Sequence, residues 1–128
     1  KSYILLVAVF FGLAMINSDG QGGYLTFVSG DTMAFSYKTI CNATAYSTKG
    51  YTASGYRTEM GNIAVDPSVF PYGTRFFIQT TSGSWVYGMA VARDCGTSIK
   101  GNKIDLWFDE YSTACSWGRR DCTVYVLG

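Results

Sequence analysis

Apolar and polar residues alternate with a period of two from Tyr24 to the end of the chain, which is typical of β-strands with two different faces. Ser29-Gly30-Asp31 predicts a hairpin turn, and the polar, glycine-containing segments 47–60 and 95–102 are predicted loops. The predicted strands are 24–28, 32–37, 39–46, 62–65, 74–80, 84–93, 103–108 and 122–127.

Segment 109–117 has a helical pattern instead. Tyr111, Ala114 and Cys115 would share one helix face, Asp109 is the candidate N-cap, and Gly118 is placed to end the helix. Many short strands and one short helix predict an all-β fold, built as a compact barrel.

The first 23 residues follow a different pattern. Lys1 precedes an apolar run at 3–16, which is shorter than the about 20 residues a membrane-spanning helix needs, and polar residues follow. This order resembles the tail of a secretory signal, with a retained membrane anchor or a core helix as alternatives. We therefore predict a signal-like or anchoring segment at 1–19, a glycine-rich linker at 20–23 and a folded domain at 24–128, outside the cytoplasm.

Charge and composition exclude several classes of protein. The formal net charge of the 128 residues is +1, which is too small to favour a nucleic-acid surface. The chain has no histidine, which excludes Ser-His-Asp triads, Cys-His pairs and histidine metal sites. Acid–base chemistry is therefore left to carboxylates, Lys, Tyr or Cys, and no cofactor is predicted.

Four cysteines are present, at Cys41, Cys95, Cys115 and Cys122. An even number in a small chain favours two disulfides, for which three pairings exist. A zinc site is disfavoured because no C-x-x-C pair occurs, and free buried thiols remain an alternative.

Strand parity indicates where polar chemistry can lie. In segment 103–108, Ile104, Leu106 and Phe108 share the face expected to form the core, so Asp105 and Trp107 point the other way. In segment 62–66 the core pair is Ile63 and Val65, with Ala64 and Asp66 opposite, and in 87–94 the bulky face is Tyr87, Met89 and Val91, with Gly88, Ala90, Ala92 and Asp94 opposite.

Three strands thus carry an aspartate on a face predicted to be non-core: Asp66, Asp94 and Asp105. The small residues beside two of them predict a groove for a bulky ligand. The alternative is that these are ordinary solvent-facing acids. A Ca²⁺ or Mg²⁺ site on three carboxylates is disfavoured, because it leaves the small residues unexplained.

An ordered set of short motifs carries a family resemblance. The motifs are Thr52-Ala53-Ser54-Gly55, Ile63-Ala64-Val65-Asp66-Pro67, Pro71-Tyr72-Gly73-Thr74, Ala90-Val91-Ala92-Arg93-Asp94, Ile99-Lys100-Gly101-Asn102-Lys103-Ile104-Asp105-Leu106 and Trp117-Gly118-Arg119-Arg120. Their order and spacing over about 43–127 resemble the 3D domain of bacterial cell-wall proteins, named for three aspartates.

The resemblance implies a six-stranded double-psi β-barrel with an N-terminal hairpin, related to the catalytic barrel of lytic transglycosylases and more distantly to expansins. It maps the three aspartates onto Asp66, Asp94 and Asp105. It implies a peptidoglycan lytic transglycosylase, with a non-catalytic wall-binding or wall-loosening module as the alternative. The candidate substrate-binding residues are Lys100, Trp107, Thr52, Gly96 and Asn102.

The implied mechanism has Asp105 as the proton donor, its pKa raised by burial against Trp107 and by the charges of Asp94 and Asp66. One departure from the family pattern is Cys95, directly after a site aspartate. The favoured interpretation is a disulfide that clamps this loop, with Cys115 as the candidate partner and Cys41 then paired to Cys122. A new reactive group and a neutral change are the alternatives.

Overall fold

The computed structural model describes residues 21–127. Its elements are β1 Gln21–Thr26, β2 Thr32–Tyr46, β3 Asn62–Ala64, β4 Arg75–Thr80, β5 Val86–Asp94, β6 Lys103–Trp107, α1 Tyr111–Trp117 and β7 Arg120–Leu127. The predicted fold class, mostly β with one short helix, is confirmed. The predicted signal or anchor at 1–19 lies outside the described residues. Within 21–127, no helix has the length and apolarity required to cross a membrane.

Six of the strands form a closed ring. The order is β2-β6-β3-β5-β4-β7, and β7 pairs back onto β2. The β2–β6 and β3–β5 pairs are parallel, and the other pairs are antiparallel. β1 pairs with β2 as an N-terminal hairpin. The closed six-stranded sheet and the hairpin agree with the prediction, and the double-psi topology stays a prediction.

β2 is one continuous strand of 15 residues, where two strands were predicted. It pairs with β1 through 32–37, with β7 through 37–43 and with β6 through 42–46. One strand therefore links the hairpin, the ring closure and the strand that carries Asp105.

β1 begins inside the segment predicted as a linker, 20–23. A Cβ at Gly22 would lie 2.8 Å from the carbonyl oxygen of Phe35, so this glycine permits close approach of the two strands of the hairpin. At residues 21–23 the linker prediction is therefore wrong, because the glycines serve strand pairing there.

Two hydrophobic clusters hold the domain together. The ring interior contains the predicted core residues Ile63, Val65, Ile104, Leu106 and Phe108, all buried. The second cluster joins the hairpin to the outside of the ring through Leu25, Phe35, Phe77, Tyr125 and Leu127. The rings of Phe35 and Tyr125 meet edge to face with centroids 5.0 Å apart.

The predicted parity of β5 is wrong over most of the strand. Ala90 and Ala92 lie in the ring interior, whereas Met89 packs against the second cluster. Large interior side chains from neighbouring strands, such as Phe76 and Ile78, fill the space that these alanines leave. The groove predicted along the small residues of β5 is therefore absent from the described structure.

Asp94 nevertheless lies outside this interior cluster, because a β-bulge intervenes. Ile63 pairs with Ala92, but the next residue of β3, Ala64, pairs with Asp94. The extra residue, Arg93, reverses the alternation of β5 at that point. Asp94 therefore lies on a non-core face, as parity predicted, although the face assigned to most of β5 was wrong.

The helix begins at Tyr111, one residue later than a cap at Asp109 would place it. Glu110 is the N-cap, without a side-chain cap bond, and Gly118 ends the helix with φ 63. Asp109 instead accepts a hydrogen bond from Lys49 through its carbonyl oxygen, at 2.9 Å. Trp117 anchors the helix, because it is buried and donates to the carbonyl oxygen of Ala43 at 3.0 Å.

Candidate active site

One row of residues across four strands brings two of the three predicted aspartates together. Thr44 of β2 pairs with Asp105 of β6, Asp105 pairs with Ala64 of β3, and Ala64 pairs with Asp94 of β5. With strands about 4.8 Å apart, the two aspartates are separated by two strand spacings. Ala64 is small, so nothing bulky from β3 stands between the two carboxylates.

The surroundings of Asp105 favour the protonated form of its carboxyl. Burial raises the pKa of Asp105 above its usual range, and the charge of Asp94 raises it further. The hydroxyl of Thr44, which donates to Asp105 Oδ1 at 2.9 Å, and the charge of Lys103 both lower it. The net direction is upward, as predicted, although Asp66 is not among the causes.

Asp94 is surrounded by hydrogen-bond donors. Its Oδ1 accepts from the backbone N–H groups of Ala53 and Cys95, each at 2.9 Å. Its Oδ2 accepts from the hydroxyl of Tyr46 at 3.1 Å. The loop containing Ala53 is therefore tied to the end of β5, and Asp94 is held in one orientation beside Asp105.

Tyr46 lies close to both aspartates. Burial raises the pKa of its phenol, and the charges of Asp94 and of Asp105 raise it further. Tyr46 and Thr44 were not predicted as site residues. They occupy the same face of β2 two positions apart, and that alternation is the signal that could have identified them.

Asp66 lies in a different environment. Its Oδ1 accepts from the N–H and hydroxyl of Ser68, at 3.0 and 2.7 Å, and its Oδ2 accepts from the N–H of Gly101 at 2.8 Å. These bonds, led by that from Gly101, lower the pKa of Asp66. Neither Asp94 nor Asp105 is among the groups that shift it.

The three aspartates do not form one tight cluster. Within residues 21–127, no group of three or more Asp, Glu or Cys side chains is close enough to share a metal ion. Asp105 and Asp94 face each other across Ala64, and Asp66 secures the turn and loop before β6.

Trp107, a predicted substrate-binding residue, has little free surface. Its side chain is 4% exposed, the Nζ of Lys49 lies 5.1 Å from its ring centroid, and its Nε1 donates to the carbonyl oxygen of Thr48 at 2.8 Å. Segment 47–50 therefore covers the ring that was expected to meet a sugar.

The other predicted substrate-binding residues are placed as follows. Thr52 is buried and accepts from the N–H of Tyr56 at 3.1 Å, so its hydroxyl stabilises its own loop. Asn102 bridges to β2 by donating to Thr39 and to the carbonyl oxygen of Ile40. Lys100 is exposed and Gly96 packs against Ile99, both in the loop that Asp66 secures.

A second tyrosine supports the site from the ring interior. The hydroxyl of Tyr87 donates to the carbonyl oxygen of Trp107 at 2.7 Å and accepts from the N–H of Gly61 at 3.0 Å. Burial raises its pKa, so it stays a neutral phenol. It fixes the end of β6 just after Asp105.

A groove of about 700 Å³ opens beside the row of site residues. One wall is the end of β2, residues 44–48, and the other is α1 with the turn that follows it. Thr44 and Tyr46, which contact the two site aspartates, both line this groove. The groove therefore shares two residues with the candidate site.

The predicted disulfides are not confirmed, since all four cysteines are free thiols. Cys41 and Cys122 are buried and directly opposite each other across the β2–β7 pair. Cys95 and Cys115 are exposed.

Residues 61–128 match the family model of the 3D domain. Two proteins of Bacillus subtilis (strain 168) are similar over most of the chain. YabE, named for cell wall shaping, is 37% identical over 93 residues, which are 70% of this chain and 21% of YabE. YocH, a cell wall-binding protein, is 38% identical over 94 residues, which are 66% of this chain and 31% of YocH. The chain thus spans a third or less of these relatives.

Solved structures of lytic transglycosylases share the fold. Escherichia coli MltA is 23% identical with a TM-score of 0.52, over 65% of this chain and 28% of MltA. MltA has also been solved with bound chitohexaose, at 21% identity and a TM-score of 0.53, over 63% of this chain and 28% of MltA. Burkholderia pseudomallei LtgG is 29% identical with a TM-score of 0.52, over 64% of this chain and 27% of LtgG.

Proposed function

The chain belongs to the 3D domain family, and on that premise we propose that it is a peptidoglycan lytic transglycosylase. It would cleave the β-1,4 bond between N-acetylmuramic acid and N-acetylglucosamine and leave 1,6-anhydro ends. The observation that carries the proposal is the pairing of a half-buried Asp105, with its raised pKa, and a well-hydrogen-bonded Asp94 in one row of the sheet.

In the first step the protonated carboxyl of Asp105 donates its proton to the glycosidic oxygen. The bond from that oxygen to C1 of the muramic sugar breaks, and positive charge develops at C1 and the ring oxygen. Burial raises the pKa of Asp105, which favours the protonated form that this step requires.

In the second step the substrate supplies its own nucleophile. The C6 hydroxyl of the same sugar attacks C1, and the carboxylate of Asp105 takes the hydroxyl proton. A C1–O6 bond forms, the anhydro ring closes, and Asp105 is again protonated. Neither water nor a second base is consumed, which suits a site with a single half-buried acid.

Asp94 has two roles in this scheme. Its charge disfavours ionisation of Asp105, and it stabilises the positive charge that develops on the sugar. Tyr46 and the N–H groups of Ala53 and Cys95 hold the carboxylate in place for both roles. Asp66 would act by positioning the loop that carries Lys100 and Gly101.

Non-catalytic wall binding is the second candidate function, because the relative YocH is named for cell wall binding. Both candidates place the domain in the cell envelope, outside the cytoplasm, with peptidoglycan as the partner. They differ in whether glycan bonds break.

Purified peptidoglycan incubated with the domain, followed by mass spectrometry, tests the proposal. We expect anhydro-muropeptides from the wild type and about 10³-fold less product from Asp105→Asn. Asp31→Asn is the matched control, since Asp31 lies in the hairpin turn and contacts Ser29. Products with reducing ends would show hydrolysis instead of transglycosylation. If the domain sediments with the wall but releases no products, the binding function is favoured.

A further inference from the structure

Among residues 21–127, no strand pairs with the outer edge of β2 at its C-terminal end. β2 pairs with β7 only as far as Ala43, and from Thr44 to Tyr46 it pairs with β6 alone. The groove beside this edge is bounded by α1, which contacts β2 through the Trp117 indole rather than through a backbone ladder. A free strand edge beside a groove is the geometry that binds an extended peptide.

The hydrogen-bond pattern shows which backbone groups face the groove. The N–H of Asn42 donates to the carbonyl oxygen of Asn102, just before β6, and the carbonyl oxygen of Tyr46 accepts from the N–H of Phe108, just after it. The even-numbered residues of this part of β2 therefore point toward β6. Odd-numbered residues point the other way, as the bond from Trp117 to the carbonyl oxygen of Ala43 shows. The backbone groups of Ala45 and Ser47 therefore face the groove, and in residues 21–127 no hydrogen bond reaches them from the α1 side.

The charge of the groove favours an acidic occupant. Arg119 lines the groove and is exposed. One of its guanidinium N–H groups donates to the Oδ1 of Asn42 at 2.8 Å. A guanidinium has five N–H donors in a planar arrangement that matches a carboxylate. No acidic residue lines this groove.

The groove also starts where the reacting sugar must lie. Thr44 and Tyr46 line it and contact Asp105 and Asp94. In peptidoglycan the stem peptide hangs from the lactyl group of N-acetylmuramic acid, the same sugar whose C1 is attacked in the proposed reaction. A muramic sugar at Asp105 would therefore carry its peptide beside Thr44 and Tyr46, which line the groove.

We infer that this groove binds the stem peptide of the muramic sugar as an added strand along residues 45–47, with Arg119 pairing with one of its carboxylates. The inference rests on the proposed function for the position of the sugar. It makes the domain selective for glycan strands that still carry peptides.

Binding is measured first, because it does not depend on cleavage. Amide spectra of the ¹⁵N-labelled full chain are recorded with N-acetylmuramyl peptide and with N-acetylmuramic acid alone. We expect the amides of Ala45 and Ser47 to shift and to gain protection from exchange only with the peptide-bearing ligand. Absence of shifts at these amides at saturating peptide ligand overturns the inference, whether or not the domain cleaves glycan.

Cleavage supplies the second measurement, on glycan strands with their peptides and on strands stripped by an amidase. Ser47→Pro removes an edge N–H, and Arg119→Ala removes the carboxylate partner. We expect each to lower kcat/KM about tenfold on peptide-bearing strands and less than about twofold on stripped strands. Arg75→Ala, in an exposed residue of β4 outside the groove, is the control.

The inference is overturned if the wild type cuts both substrates at equal rates. It is also overturned if the variants lose the same factor in kcat/KM on both substrates. Either result leaves the proposed reaction intact. Loss of product with Asp105→Asn while both Ala45 and Ser47 shift with peptide supports both. Failure of the wild type to cut either substrate refutes the reaction, and the amide shifts then decide the peptide groove by themselves.

Discussion

Asp105 and Asp66 look equivalent in the sequence but lie in opposite surroundings. Asp105 is half-buried in the row that crosses β2, β6, β3 and β5. Among the described residues, its carboxylate accepts one side-chain hydrogen bond, from Thr44. Asp66 lies at a corner of the ring, where Ser68 and Gly101 donate to its two oxygens. The pKa of Asp105 is raised and that of Asp66 is lowered. Burial and hydrogen-bond donors set the pKa of each carboxyl group, and the sequence motif does not show either of them.

The largest expected difference between Asp105 and Asp66 is in the rate of glycan cleavage after each is replaced by Asn. Asp105→Asn removes the proton donor, so we expect about a 10³-fold loss of anhydro product. Asp66→Asn keeps the size of the side chain and weakens only the tether to Gly101, so we expect about a tenfold loss. Single-turnover rates on purified glycan strands measure both. Equal losses would show that Asp66 takes part in the chemical step.

The pH dependence of kcat/KM should shift in opposite directions for two neighbours of Asp105. Activity requires the protonated acid, so it falls as the pH rises through the pKa of Asp105. Asp94→Asn removes a charge that raises this pKa, so the fall should move to lower pH. Thr44→Val removes a bond that lowers it, so the fall should move to higher pH. Profiles that shift together would contradict the assignment of the acid.

Replacing Asp105 and replacing Asp66 by Asn should change the Tm in opposite directions. The raised pKa of Asp105 means that its ionised form opposes folding, so Asp105→Asn should raise Tm by a few degrees at neutral pH. This gain should disappear below about pH 4, where the acid is protonated in both states. Thermal melts across this pH range measure it.

Asp66 should show the reverse behaviour in the same melts. Its lowered pKa means that the charged form favours folding, an advantage present above the unfolded pKa and lost as the pH falls through the folded one. Asp66→Asn should therefore lower Tm at neutral pH and match the wild type in strong acid. A Tm gain at neutral pH would show that its hydrogen bonds do not stabilise the loop.

Lys100 should produce the smallest effect. It is exposed and acts on Asp66 only as a weak charge, after the hydrogen bonds from Gly101 and Ser68. Lys100→Ala should change kcat/KM by less than about twofold if the residue is solvated. A larger rise in KM on peptide-bearing strands would restore it as a substrate-binding residue.

Much of the ring was predictable because period-two patterns mark strands wherever one face meets the core. Ile104, Leu106 and Phe108 are buried as expected, and Asp105 lies opposite. The bulge at Arg93 was not predictable, because it depends on how β3 aligns with β5. Local alternation carries no information about which strand lies alongside or where its register shifts.

The neighbours of the two site aspartates were missed for a related reason. Thr44 lies 61 residues from Asp105 in the chain, and the two meet only because β2 and β6 pair in parallel. In the same way, the burial of the Trp107 ring depends on the position of segment 47–50, which contacts it through Thr48 and Lys49. Polar contacts between distant segments follow from register, which a single sequence does not contain.

Cys41 and Cys122 face each other where β2 and β7 close the ring, and each thiol has a pKa of about 12 because it is buried. At pH 7 only about one such thiol in 10⁵ is the reactive thiolate. In the described residues both thiols are free, so the ring is closed by the hydrogen bonds and packing between β2 and β7. Recombinant domain made in a reducing cytosol should fold identically, and reducing agents should leave its melting curve unchanged.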